Sequence, residues 1–418
     1  MVSLGCRLNL SESEDMRALL AGHGDLVVIN SCAVTAQAVR QTRQAIRRAR
    51  RAWPDARLLV TGCAAEIERE SLAAMPEVDG LIANAAKLDP RAWNEMVFSS
   101  PSSSGEGLGW GLSALRVLAP GRQTPPPAPL QEGRGEGHSR AFVQVQNGCD
   151  HACTFCVIPQ GRGPSRSRAV AEVLADVERH LAAGSREVVV TGVDVTSWGH
   201  DLPGEPRLGA LVAAILAEFP ALPRLRLSSL DGVEIDAALF ELIAGEPRVM
   251  PHVHLSLQSG DDLILKRMKR RHSRRDAADL VARLRGFRPD IALGADLIAG
   301  FPTEDEEAHG RNISIIRELG VVHGHIFPYS PRPGTPAARM PQVAGAAIKH
   351  RAAELRAAVA DERRRWLRGL IGQPLAVLAE RDGTGHAENF ARVELPAGTA
   401  ASSFVTVTPA RIAGGLLA

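Results

Sequence analysis

Three cysteines stand close together near the middle of the chain, as Cys149-Asp-His-Ala-Cys153-Thr-Phe-Cys156. Three thiolates on one short loop can hold three irons of a [4Fe–4S] cluster while the fourth iron stays open. A structural zinc site wants a fourth protein ligand, and the nearest candidate, His151, lies inside the loop, where convergence is poor. The C-x3-C-x2-C spacing therefore points to a cluster whose open iron chelates the amino and carboxylate groups of S-adenosylmethionine. One electron then cleaves the C–S bond and leaves a 5′-deoxyadenosyl radical. Zinc, or thiols with no metal, are the alternatives. Phe155, beside the last cysteine, reads equally as a residue packed near the adenine and as core filling.

The other three cysteines, Cys6, Cys32 and Cys63, each follow a short apolar run. Residues 1–4, 26–30, 58–61 and 80–83 read as strands, and 12–23, 36–51, 66–75 and 90–98 as helices. Strand alternating with helix implies a parallel α/β sheet. The carboxyl ends of such strands form the crevice where ligands bind. Thiols far apart in sequence can thus meet at one point, which suggests a second cluster with an open iron. Buried apolar cysteines are the alternative, which explains one such residue more easily than three.

The central stretch must position the C-x3-C-x2-C loop. Strand patterns at 142–146, 187–191, 224–228, 253–257, 292–297 and 323–328 leave room for a helix between each pair. Six βα units predict an open, incomplete barrel, because a closed eight-unit barrel needs about 250 residues and this stretch has about 190. A long polar helix at 344–368 follows. Between 99 and 140, 21 of 42 residues are Gly, Ser or Pro, a composition that predicts a flexible linker, with a short strand around 112–118 as the alternative. The tail has strand-like pieces at 375–378, 391–395 and 404–407 and predicts a small β-barrel, thin for independent stability. The domains expected are 1–98, a linker at 99–138, 139–368 and 369–418.

With these elements placed, a resemblance becomes plain. Leu4-Gly5-Cys6-Arg7-Leu8-Asn9, Asn30-Ser31-Cys32-Ala33-Val34-Thr35 and Thr61-Gly62-Cys63 resemble the three cysteine motifs of the radical S-adenosylmethionine methylthiotransferase family. The Cys149–Cys156 loop, Gly161-Arg162-Gly163, Thr191-Gly192-Val193-Asp194, Leu257-Gln258-Ser259-Gly260, Gly300-Phe301-Pro302-Thr303-Glu304 and Tyr329-Ser330-Pro331-Arg332-Pro333-Gly334-Thr335 continue it. The resemblance implies an N-terminal methylthiotransferase domain, a partial-barrel radical domain and a small TRAM-like β-barrel. It implies two [4Fe–4S] clusters, on Cys6/Cys32/Cys63 and on Cys149/Cys153/Cys156, with all six cysteines required. One S-adenosylmethionine would methylate a sulfur held at the first cluster. A second, cleaved at the other, would supply the radical that removes hydrogen from adenine C2. Cys6-Arg7-Leu8-Asn9 and the arginine-rich 161–168 segment look most like the branch that modifies N6-threonylcarbamoyladenosine at position 37 of tRNA. The isopentenyladenosine branch and the ribosomal-protein aspartate branch stay open, as does, in another class, an iron–sulfur electron carrier. Ser31 and Ala33 replace the family's usual threonines, Asp194 replaces Asn or Glu, and the tail is shorter than a usual TRAM domain. Gly192, Asp194 and Gln258, with Phe155, are the expected S-adenosylmethionine contacts. The partners implied are the tRNA anticodon stem-loop and a reductant such as flavodoxin or ferredoxin; the sulfur donor stays unassigned.

Composition bounds the rest. The 418 residues carry a formal net charge of +2, which excludes a polycationic tail-type binder. Forty-five of the 49 basic residues are arginine. Two basic stretches could track phosphates: Lys266 to Arg275, and Arg40, Arg43, Arg47, Arg48, Arg50 and Arg51. No run reaches the ~18 apolar residues of a membrane span, and no export signal precedes Cys6, so a cytoplasmic location with reduced cysteines is expected. No Walker A lysine motif and no H-E-x-x-H pattern occurs.

Overall fold

The computed structural model describes residues 1–21, 25–98 and 139–418. The expected linker at 99–138 and the strand alternative at 112–118 lie outside the described residues, as do 22–24; the first helix, expected over 12–23, runs Arg7–Leu19. The chain forms two compact units, Met1–Gly135 with Cys156–Pro164, and Glu136–Phe155 with Ser165–Ala418.

The first unit is a parallel sheet in the order Val2–Ser3, Leu26–Ser31, Arg57–Gly62, Gly80–Leu81. The two long strands are buried on both faces, as their continuous apolar runs require. The Ala36–Ala52 helix is amphipathic: Val39, Thr42, Ile46 and Ala49, spaced by three and four, are buried. Thr35 caps it by accepting from Ala38 N at 3.1 Å. Arg40, Arg47, Arg48 and Arg51 are exposed, whereas Arg43 and Arg50 are half-buried and Arg50 pairs with Asp79. The single helix expected at 66–75 is instead two short pieces, Cys63–Ile67 and Arg69–Ala73, with Glu68 between them outside the helical region. No Gly or Pro signals this break. Arg43, which ion-pairs Glu68 and hydrogen-bonds Ser71 from the neighbouring helix, accompanies it.

The second unit holds the six expected long strands, all parallel. Arg140–Gln144, Glu187–Thr191 and Arg224–Leu227 form one sheet; His252–Gln258, Ala292–Ala299 and Val321–Pro328, with short Ser229–Leu230, form another. An isolated parallel bridge, Leu225 to Val249, links the two into an open partial barrel. Outward-facing Val143, Val188, Val190, Leu225, Leu255 and Leu297 pack with the surrounding helices into one core. Alternation along each strand turns the intervening, largely polar residues to the lumen.

The tail forms six strands rather than three, in the order Phe404–Val407, Leu375–Ala379, Thr384–Ala387, Arg392–Glu394, Leu416–Leu417, Ile412–Ala413. Its core includes Leu367 and Leu370 from the end of the long Gly345–Gly369 helix. It also docks on the amino ends of the barrel strands. Arg226, buried and paired with Glu187 at 2.9 Å, donates to Glu388 O and Ala387 O. Arg224 donates to His386 O and Ala376 O. A segment this short thus gains from the barrel the burial that its own length cannot supply.

Candidate functional site

In the first unit, Cys6, Cys32 and Cys63 all sit at carboxyl ends of the parallel strands, Cys32 and Cys63 directly after them. Two glycines let these ends approach. A Cβ on Gly5 (φ +97°) would lie 2.6 Å from Cys32 Cβ and 2.8 Å from its Sγ, and one on Gly62 (φ +90°) would lie 2.4 Å from Ser31 O. Asparagines lace the ends together: Asn9 Nδ2 donates to Leu4 O (2.6 Å) and Ser31 O (3.0 Å), and Asn30 Nδ2 to Asn9 O (2.9 Å). Cys6 is exposed; Cys32 and Cys63 are buried. Burial pushes the Cys32 thiol up to about 11, with negative charge on Cys63 and Cys6 adding to it, and burial raises Cys63 as well. The three thiols are therefore mutual electrostatic neighbours.

Beside them lies a buried charge group that sequence reasoning did not assemble. Glu12 accepts from Lys87 Nζ at 2.6 Å and from Arg162 at 2.8 and 3.1 Å, while Arg162 also donates to Asn9 Oδ1 at 2.6 Å. All three charged side chains are at most 3% exposed. Burial disfavours the charged carboxylate of Glu12, but Lys87 and Arg162 outweigh it and hold its pKa below the ordinary value. Lys87 is lowered, burial outweighing the one carboxylate it shares. Gly161 packs on Cys63, a Cβ there lying 3.4 Å from Cys63 Cβ, and Asn84 Nδ2 donates to Gly161 O at 2.6 Å. Two cations on one carboxylate leave a surplus positive charge beside three thiols. A [4Fe–4S]²⁺ core on three thiolates carries a net negative charge and matches that surplus. The donor set and the charge around it thus fit such a cluster. The signal available in sequence was Arg162 in Gly161-Arg162-Gly163 and Asn9 in the Cys6 motif; the partners Glu12 and Lys87 carried none.

The C-x3-C-x2-C loop follows the first barrel strand. Cys149 Sγ accepts from His151 N at 3.4 Å and lies 3.7 Å from Asp194 Oδ2; Cys153 Sγ accepts from Arg270 Nη1 at 3.7 Å; Cys156 Sγ accepts from Ile158 N at 3.4 Å. Donors aimed at the sulfurs suit thiolate ligands. Thr154 straps the loop by donating from N to Met268 O and from Oγ1 to Arg267 O. His151 Nε2 lies 2.8 Å from Asp194 Oδ2 and 3.8 Å from Glu234. The hydrogen bonds to Asp194 and then Glu234 push the imidazole up to about 10, so it is cationic at neutral pH. Arg271 joins Glu234 at 2.7 Å and Asp231 at 3.1 Å, and Arg270 joins Asp231 at 3.0 Å. Of the basic residues in 266–275, Arg267, Arg270, Arg271 and Arg274 are thus engaged within the fold, and Arg275 pairs with Asp279 at the surface, which leaves exposed Lys266 and Lys269 as phosphate candidates.

The expected cofactor contacts fall as follows. Gly192 packs against Gln146, whose Oε1 accepts from Val193 N and Asp194 N at 3.1 and 2.9 Å. Asp194 is held by His151 and by Ser197 Oγ at 2.8 Å. Gln258 ends its strand with φ +66°. Phe155 meets Phe301 edge-on at 6.2 Å against a small apolar cluster with Ile264, Met268 and Tyr329. Among the described residues no helix is long and apolar enough to cross a membrane.

Comparison with known proteins adds the lineage. The Radical SAM superfamily pattern matches residues 143–311, and the uncharacterized protein family UPF0004 matches 1–83. The threonylcarbamoyladenosine tRNA methylthiotransferase MtaB of Rickettsia prowazekii is 43% identical over 397 residues, covering 94% of this chain and 90% of its own. The tRNA-2-methylthio-N(6)-dimethylallyladenosine synthase of Paracoccus denitrificans is 32% identical, covering 91% and 85%. Among solved structures, the radical S-adenosylmethionine methyltransferase TsrM of Kitasatospora setae shares the fold with TM-score 0.52 at 17% identity, over 78% of this chain and 66% of that one. With its six cysteines set on two loop systems and MtaB matched along nearly its whole length, the chain belongs to the radical S-adenosylmethionine methylthiotransferase family, most like the MtaB type.

Proposed function

We propose that this enzyme converts N6-threonylcarbamoyladenosine at position 37 of tRNA to its 2-methylthio derivative, using two [4Fe–4S] clusters and S-adenosylmethionine. The observation that carries the two-cluster part is the set of three strand-end thiols with Lys87 and Arg162 sharing Glu12 beside them. The substrate part is supported by the relative that is 43% identical. Residues 1–98 would carry the sulfur-bearing cluster, 139–368 the radical site and 369–418 a short TRAM-like domain, with 99–138 a flexible linker. The bound clusters supply one-electron cleavage of S-adenosylmethionine and a sulfur store, chemistry needed because no side-chain base removes the adenine C2 hydrogen at neutral pH.

The chain's own residues position and screen that chemistry. Cys6, Cys32 and Cys63 hold one cluster; Cys149, Cys153 and Cys156 hold the other. Arg270 fixes the Cys153 sulfur, and cationic His151 holds Asp194 next to Cys149. Gln146 pins the Gly192–Asp194 turn so that its backbone and Asp194 can meet the cofactor. Phe155 and Gln258 complete the proposed contacts. A reductant such as flavodoxin or ferredoxin supplies the electron.

Arg40, Arg47, Arg48 and Arg51 are exposed on one helix and are the proposed phosphate-tracking stripe. Replacing these four by Gln is expected to lower the log–log salt slope of tRNA binding by about one to three, at ~0.7–0.9 for each phosphate no longer neutralised. Titrations at several salt concentrations measure it, and an unchanged slope returns the helix to an ordinary solvated face.

The deciding experiment is nucleoside mass spectrometry of total tRNA from cells with and without the gene. Loss of 2-methylthio-threonylcarbamoyladenosine on deletion, with recovery on complementation, is the expected result. Loss of the 2-methylthio-isopentenyl nucleoside alone overturns the substrate reading and leaves the chemistry in place.

A further inference from the structure

The barrel lumen opens at the carboxyl ends of the strands, the end at which Cys149 follows the first of them. Along its wall the outward positions are aliphatic, Val253, Leu255, Leu293, Ala295 and Leu297 among them. The inward positions of the same strands bring together His254, Asp296 and His325. His254 Nε2 and His325 Nδ1 each lie 3.0 Å from Asp296 Oδ1. The two imidazoles face each other at 4.6 Å, tilted by 34°. Asp296 and His325 are direct register partners, and a Cβ on Gly294 would lie 2.2 Å from His254 Nδ1, so only glycine lets that ring lie against the next strand. Deeper in the lumen, His252 and His323 meet Phe390 of the tail at 4.9 and 5.5 Å and form an aromatic floor. His254 and Asp296 are 8% and 16% exposed, whereas His325 is 61% exposed. With Nδ1 committed to Asp296, Nε2 is the polar atom His325 can offer to a ligand.

We infer that this group is a recognition site for the polar N6 substituent of the target adenosine, with His325 Nε2 accepting from the threonylcarbamoyl hydroxyl and Asp296 and His254 holding His325 in place. The inference rests on the proposed substrate. An isopentenyl group has no atom to satisfy this wall and would strip water from it without replacement, whereas a threonylcarbamoyl group brings a carboxylate, a hydroxyl and N–H groups. Sites built to hydrogen-bond a substrate group discriminate strongly against analogues that lack it.

The test uses the reconstituted enzyme with synthetic anticodon stem-loops carrying threonylcarbamoyl- or isopentenyl-adenosine. His325→Phe keeps a flat ring and removes the hydrogen bond. The expected result is a fall of about tenfold or more in kcat/KM on the threonylcarbamoyl stem-loop, mainly through KM. His325→Asn should recover part of the loss, and RNA-free cleavage of S-adenosylmethionine should stay at the wild-type rate. If His325→Phe lowers RNA-free cleavage, Asp296→Asn, which keeps the shape, takes its place with the same expectation. A KM within about twofold of wild type overturns the inference. A wild-type enzyme that turns over only the isopentenyl stem-loop overturns the substrate reading itself, which keeps the two failures apart.

Discussion

Arg162→Leu is expected to cost the first unit about 3 kcal/mol or more, and to lower iron and acid-labile sulfide in the reconstituted protein from about eight toward about four per chain. The physical reason is the placement of the guanidinium. It is 3% exposed, bidentate on Glu12 and bonded to Asn9, the residue whose amide ties the Cys6 and Cys32 loops together. Breaking a buried pair from one side leaves a carboxylate with one partner fewer in a medium that solvates it poorly. It also removes the surplus positive charge that an anionic cluster needs. Arg162→Lys keeps the charge and loses the bidentate geometry, so an intermediate loss is expected. Thermal unfolding of the metal-free chain, with iron and sulfide assays after reconstitution, separates the two contributions. Wild-type melting and wild-type iron in Arg162→Leu together would remove this charge group from the cluster site.

Cys63→Ala is the second large effect. It should abolish methylthiolation, halve the bound iron, and leave S-adenosylmethionine cleavage under dithionite intact. Cys63 is buried in the first unit, and its loss would remove one of the three proposed ligands of one cluster. Cys149 and Cys153 belong to the other unit, where Arg270, His151 and Thr154 set their loop. Cys156→Ala should also halve the bound iron and abolish methylthiolation, but in contrast to Cys63→Ala it should stop cleavage altogether. Quantifying 5′-deoxyadenosine and 2-methylthio product for both variants checks the division of labour. Normal methylthiolation by Cys63→Ala would rule out a sulfur-carrying role for the first cluster.

How much of this was legible beforehand depended on whether the signal was local. Ala36–Ala52 was readable because its buried positions recur at helical spacing and Thr35 marks its start. The six barrel strands were readable as apolar runs between helical patterns. The break at Glu68 was not, because Arg43 lies 25 residues away along the chain. The extra tail strands, at most four residues long, carry too little pattern to be seen.

The same division holds at the site. By itself the sequence determined the cysteine spacings, the strand ends that carry three of them and the family motifs, because each motif is a short contiguous stretch next to a strand pattern. Tertiary structure alone decided that Glu12, Lys87 and Arg162 meet, that His151 turns to Asp194 and Glu234, and that His254, Asp296 and His325 share one wall of the lumen. Each of those groupings joins residues from separate elements. A buried charge is chosen by what lies across from it in space, and sequence spacing holds no record of that distance.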